Sequence, residues 1–212
     1  MSSKLEEGRD AFAQETGVSR ETMQRLDQFA LLLRKWNPAI NIVSGSTLDA
    51  VWSRHFSDSA QVFFLARAKG GVWADLGSGG GFPGLVVAIL AGELAPDLAV
   101  TLVESDARKA AFLATVTREC GLRTQILTER IEATESLAAQ FLSARALAPL
   151  QKLLEYAERH LASNGTAFFF KGATWRDEID AARRIWRFDL TAQPSKTDQN
   201  SAVLQVRGVS RA

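Results

Sequence analysis

The sequence predicts an α/β chain built on a mostly parallel, doubly wound sheet of seven strands, preceded by a helical segment. Three observations predict it. From Val72 onward, short apolar runs alternate with helical stretches, the pattern of a parallel sheet with helices on both faces. A glycine-rich loop follows the first of these runs, at residues 77–81. Residues 1–71 lack such runs and carry helical spacing instead.

Met23, Leu26, Ala30 and Leu33 follow one apolar helix face, with Phe29 and Trp36 beside it. Asn37-Pro38 is expected to close this helix, because the ring of Pro38 disfavours a helical Asn37. Ser46-Thr47-Leu48-Asp49 has the form of a capping box opening a second helix. Val51, His55, Ser59 and Val62 step along it, and Lys69-Gly70-Gly71 stops it. Residues 1–71 are thus read as a helical extension packed on a domain formed by residues 72–212. In that domain 72–76 is the first strand, ended by the loop 77–81. Pro83 suits the first turn of the next helix, which runs through Leu85, Val86, Ala88, Ile89 and Leu90. Residues 99–104 form the second strand, and 106–120 a helix with Gly121 just past its end. A third strand (123–127), a short helix (131–139), a fourth strand (141–145) and a helix (149–161) follow. Asn164-Gly165 turns the chain into a fifth strand, 166–171, apolar on both faces. A helix over 176–185 precedes a hairpin-like pair, 186–192 and 202–207, around the polar loop 194–201.

Composition suits one globular domain with a modest extension: 212 residues, 46% hydrophobic and 23% charged, which argues against disorder. Lys plus Arg number 25 against 24 Asp plus Glu, so the sum of charge neither announces nor excludes a nucleic-acid partner. The lone cysteine, Cys120, is read as a buried helical residue and favours a cytosolic setting. His55 and His160 are far apart and lack the companions of a zinc site, so no metal is expected. The first residues lack the apolar core of a signal peptide, and no run reaches the roughly 18 apolar residues of a membrane span. A cytoplasmic chain with no membrane partner is expected.

Asp75-Leu76-Gly77-Ser78-Gly79-Gly80-Gly81-Phe82-Pro83-Gly84 carries the chemical signal. In open parallel sheets ligands lie beyond the carboxyl ends of the strands, and glycines there let a ligand lie against the backbone. Glu104 ends the next strand, where a carboxylate can accept from both hydroxyls of a ribose. Two nucleoside ligands compete. Gly79-x-Gly81-x-x-Gly84 matches the dinucleotide fingerprint, with Glu104 at a plausible distance. Yet the strand ends in Asp-Leu-Gly, so that register starts two residues late. Asp75 would also repel a pyrophosphate, whereas S-adenosylmethionine (SAM) carries a cationic amino-acid end. The balance favours SAM, with a dinucleotide oxidoreductase and a non-catalytic binding module as alternatives.

The same segment resembles the motif of the RsmG (GidB) family, the 16S ribosomal RNA guanine-N7 methyltransferases. Lys35-Trp36-Asn37 with Asn41-Ile42, Arg54-His55-Phe56-Ser57-Asp58-Ser59, Lys109-Ala110-Ala111-Phe112-Leu113, Ala144-Arg145-Ala146 and Phe170-Lys171-Gly172 resemble that family in the same order. Ala144 stands where Ser is expected in many members, and Phe170 where a smaller apolar residue is common. The resemblance implies a class I SAM-dependent methyltransferase, a Rossmann-like fold with an N-terminal helical extension. It implies SAM contacts at Gly77, Phe82, Ile131, Glu132 and Arg145, beside Asp75, Gly79 and Glu104 from the loop reading. It implies a guanine in the decoding-region loop of 16S ribosomal RNA, naked or within the small ribosomal subunit, as substrate of a monomeric enzyme.

Such chemistry suits a chain without an evident nucleophile–base pair. A sulfonium donor is already activated, and guanine N7 has a free lone pair and no proton to lose. Alignment alone can supply about 7–11 kcal/mol. Arg145 and Lys171 both end strands on the ligand side and are the candidate catalytic residues, in positioning roles, gripping phosphate or guanine O6. A surface ion pair is the plain alternative for each. Methylation of a ribose 2′-hydroxyl, with Lys171 as base, is a minor alternative. Arg34-Lys35, Arg54-His55 and Arg183-Arg184-Arg187 are candidates to steer RNA phosphates, though each also suits a solvated helix face. His55 is expected to be a hydrogen-bonded packing residue rather than a catalyst.

Overall fold

The computed structural model describes residues 3–212, apart from the side chains of residues 3, 4 and 46; Met1 and Ser2, part of the leader reading, lie outside it. Helices α1 (Ser3–Thr16), α2 (Arg20–Ile40) and α3 (Ser57–Ala66) precede strand β1 (Gly70–Leu76). Then follow α4 (Gly84–Leu94), β2 (Asp97–Val103), α5 (Ala107–Glu119), β3 (Thr124–Leu127) and β4 (Ala139–Arg145). The chain continues with α6 (Leu150–His160), β5 (Leu161–Lys171), α7 (Trp175–Ala182), β6 (Trp186–Pro194) and β7 (Ala202–Arg211). The seven strands form one sheet in the order β3-β2-β1-β4-β5-β7-β6. The pairs from β3 through β5 are parallel; β7 runs antiparallel to both β5 and β6. Order reverses beside β1, which opens a crevice at the carboxyl ends of β1 and β4.

Alternation along the strands feeds two cores. Leu102, Phe168 and Val203 face one side, with Trp73, α2, α4 and α5. Their neighbours Val103, Phe169 and Leu204 face the other, with α6 and α7. Trp73 lies 5.8 Å from Phe168 and nearly parallel to it, at 5°. Helix α4 is buried from Gly84 to Ala91. It has no polar face, so it is stable only between two apolar layers. The sheet supplies one, and α2 and α3 supply the other.

Several local expectations are corrected. Helix α2 continues through Pro38 to Ile40. The missing proline amide costs the helix one hydrogen bond, but Asn37 holds the exit, its carbonyl accepting from Asn41 N at 2.9 Å and its Oδ1 from Val43 N at 2.8 Å. Asn41, at φ 48°, makes the stop. The expected second helix is broken into a 3-10 turn (Gly45–Ala50), a π turn (Trp52–Phe56) and α3. The Ser46 side chain lies outside the described ones; Asp49 does not cap but pairs with Arg34 at 3.2 Å. Helix α3 ends at Arg67, φ 50°, ahead of Lys69-Gly70-Gly71, and both glycines join β1. Pro83 is the N-cap of α4 rather than part of its first turn. No helix forms over 131–139: only a turn does, because the carbonyls of Ile131 and Thr134 pair with the side chains of His160 and Arg159. Asn164-Gly165 does not turn; it lies in an irregularity of β5, between the pairs Ala139↔Leu161 and Phe141↔Thr166.

Cys120 closes α5, 5% exposed, its thiol donating to the Arg25 carbonyl at 3.4 Å. Burial pushes that thiol up to about 11. Among the described residues, no helix is long and apolar enough to cross a membrane, and no group of three or more His, Cys, Asp or Glu is placed to hold a metal.

Candidate active site

The loop after β1 is shaped by carboxylates. Asp75 is fully buried, its Oδ2 accepting from Gly84 N at 3.1 Å and its Oδ1 from Ser143 Oγ at 2.6 Å. Ser143 in turn accepts from the Trp73 indole at 2.9 Å. Burial pushes the Asp75 carboxyl up to about 6, against the pull of Ser143, Ser78 and Gly84. A Cβ at Gly84 would lie 2.3 Å from Leu102 and 2.6 Å from Asp75 Oδ2, so only glycine lets the helix start this close to the strand. Gly77 takes φ 63°, and a Cβ there would meet Leu147 at 2.5 Å. Glu104, at the end of β2, accepts from Gly79 N and from Asp106 N, each at 2.8 Å.

Together these elements border a cleft of ≈ 590 Å³. Gly77, Gly79, Phe82, Glu104, Ile131, Glu132 and Arg145 all line it. Asp75 does not: it lies beneath the loop and acts on the cleft through Gly84 and Ser143. The Glu132 carboxylate accepts from the Tyr156 hydroxyl at 2.5 Å, which holds it below the usual carboxylate range, while burial and Glu132 push the Tyr156 hydroxyl up to about 12. The cleft suits SAM better than a dinucleotide. A pyrophosphate needs free amides at the helix start, but Gly84 N and Gly79 N are both committed to the protein's own carboxylates. Glu104 and the apolar Ile131 and Phe82 offer a carboxylate and flat apolar walls, the groups a ribose and an adenine require.

His55 also borders the cleft, stacked on Phe82 at 4.8 Å, its Nε2 within 3.0 Å of Thr47 Oγ1. Burial, with Arg145 and Arg54 nearby, lowers it to about 4, so it is neutral near pH 7. Arg145 donates to the Arg54 carbonyl at 2.9 Å and pairs with Asp58 at 3.4 Å; burial lowers its affinity for its proton. Lys171 sits apart from the cleft, paired with Glu178 at 2.7 Å and donating to the Ala148 carbonyl at 3.1 Å. Sequence reasoning passed over Asp58 as a site residue. Its signal was present in the Arg54-His55-Phe56-Ser57-Asp58-Ser59 segment.

Comparison with known proteins matches the family model described as rRNA small subunit methyltransferase G over residues 22–203. Curated proteins named ribosomal RNA small subunit methyltransferase G are similar along nearly their whole length. One from Ruegeria sp. (strain TM1040) is 52% identical over 93% of this chain and 96% of its own. One from Paracoccus denitrificans is 50% identical over 92% and 99%. Among solved structures, a methyltransferase from Geobacter sulfurreducens superposes with TM-score 0.57 at 17% identity, covering 92% of this chain and 93% of that one. A putative SAM-dependent methyltransferase from Methanococcus maripaludis does so with TM-score 0.57 at 11% identity, covering 86% and 93%. These two share the fold.

Proposed function

Since the chain belongs to the small-subunit ribosomal RNA methyltransferase G family, we propose that it methylates N7 of a guanine in 16S ribosomal RNA, in the decoding-region loop, with SAM as donor. The observation that carries the cofactor half is the commitment of the Gly79 and Gly84 amides to Glu104 and Asp75, which denies a pyrophosphate those two donors. When bound, SAM supplies an electrophilic methyl group on a positive sulfur. Gly77, Gly79 and Phe82 would hold it against the loop, Glu104 would receive the ribose, and Ile131 and Glu132 would flank the adenine. Asp75 keeps that loop in shape from below.

Arg145 positions the acceptor at the cleft mouth, and its charge suits O6 or a phosphate beside it. No general base is called for: guanine N7 has no proton to lose, His55, lowered to about 4, is a weak base, and Lys171 is held by Glu178. That ion pair also disfavours the ribose reading, which needs a free amine at Lys171. N7 faces a groove too deep and narrow in paired RNA for side chains to reach, so the target guanine is unpaired or swung out. We further read residues 1–71 as an extension serving the domain 72–212, the chain as a cytoplasmic monomer, and 16S ribosomal RNA, naked or in the small-subunit particle, as its partner. The test is nucleoside analysis after incubation with SAM and unmodified small-subunit RNA, naked or in particles. Appearance of 7-methylguanosine supports the reading; SAM binding without any methylated nucleoside overturns it.

A further inference from the structure

Beside the cleft lies a second cavity of ≈ 200 Å³, which shares Arg145 and Ala146 with it. Its other walls come from Arg54 and Asp58, from Phe170 and Lys171 at the end of β5, and from the β6–β7 loop, through Thr197 and Asp198 among others. Resting on the function proposed above, we propose that this cavity receives the flipped target guanine and that Asp198 reads its N1–H and 2-amino edge.

Three features of the walls support this. First, the order of groups matches the base. N7 must face the cleft, and O6 is its neighbour, whereas the 2-amino group lies on the far side of the ring. Arg145 stands on the shared wall, partly exposed, and its guanidinium is the N–H donor that both cavities share, a partner for O6. The loop residues line the second cavity alone. Second, Asp198 is an acceptor with capacity to spare. It accepts from Ser201 Oγ at 2.7 Å and from Asn200 N at 3.0 Å, one bond on each oxygen, and each carboxylate oxygen has two lone pairs. Asp58, the other carboxylate there, is already engaged by Ser195, Thr197 and Arg145. Third, Phe170 presents a half-buried ring with the Arg145 guanidinium 5.5 Å from its centre, a platform on which a base stacks. Arg54 also lines the cavity, but two carboxylates share the walls with it and with Arg145, and the Lys171 ammonium is spent on Glu178, which weighs against a phosphate.

The test compares RNA carrying guanosine or inosine at the target position; inosine lacks the 2-amino group. The wild type is expected to prefer guanosine by at least about tenfold in kcat/KM. Asp198→Asn is expected to lose at least about tenfold on guanosine and about twofold or less on inosine, with SAM affinity unchanged. Phe170→Leu is expected to weaken both substrates alike, by about fivefold or more. A wild type indifferent to inosine overturns the proposal, as does an Asp198→Asn enzyme that keeps the wild-type ratio. A gain in RNA binding by Asp198→Asn at an unchanged ratio points to phosphate and overturns it too. A wild type that binds SAM yet forms no 7-methylguanosine on guanosine RNA removes the underlying function instead.

Discussion

Arg145 is held by Asp58 and by the Arg54 carbonyl, and stands partly exposed where the two cavities meet. A cation kept in place there is suited to gripping a substrate. Arg145→Ala should therefore lower turnover at saturating SAM at least about tenfold, as read by single-turnover kinetics. Asp75 and His55 make a second prediction. Asp75 prefers its proton in the folded chain, so it favours folding below its unfolded value, near pH 4, and that contribution is lost as pH rises through about 6. The loss is on the order of 3 kcal/mol. His55 works the opposite way: lowered to about 4, it favours folding above its unfolded value and loses that contribution as pH falls through about 4. The two nearly offset each other in one window. In urea denaturation from about pH 4 to 6.5, the stability advantage of wild type over Asp75→Asn should shrink with rising pH, and that over His55→Gln should grow. That glycines and a strand-end acid border one cleft was legible in the sequence. The burial of Asp75 was not, because sequence spacing cannot tell a carboxylate facing a ligand from one facing a helix start.

At the scale of elements, the contact between β1 and α4 sets the geometry of the cleft. Gly84→Ala puts a carbon against Leu102 and Asp75, and should cost about 1–3 kcal/mol and weaken SAM binding at least about tenfold. Urea denaturation and calorimetric titration check the two effects. Element order and sheet direction were legible from alternating runs, because period and length separate strand from helix in long patterned segments. Failures fell where tertiary partners decide. Residues 131–139 show a helical pattern, but His160 and Arg159 take the carbonyls that a helix would use. Pro38 looked like a stop, but the bonds that Asn37 makes to Asn41 and Val43 hold the turn around it.

For the whole molecule, the helical segment and the C-terminal hairpin meet over the acceptor side. Asp58 binds Ser195 and Thr197, Gln61 Nε2 donates to the Pro194 carbonyl at 2.8 Å, and Lys196 pairs with Glu15. Both ends of the sequence thus converge on the β6–β7 loop, which no local pattern could reveal. Asp58→Ala frees that loop and Arg145 together. Methyl transfer should fall at least about tenfold with SAM affinity within about threefold, and amide hydrogen exchange in 195–201 should accelerate. The sole sulfhydryl of the chain, at Cys120, has a practical consequence here. Enclosed and reluctant to ionise, it leaves maleimide chemistry a silent background. A reporter dye can therefore be attached through a cysteine introduced on the hairpin loop without first removing the native one.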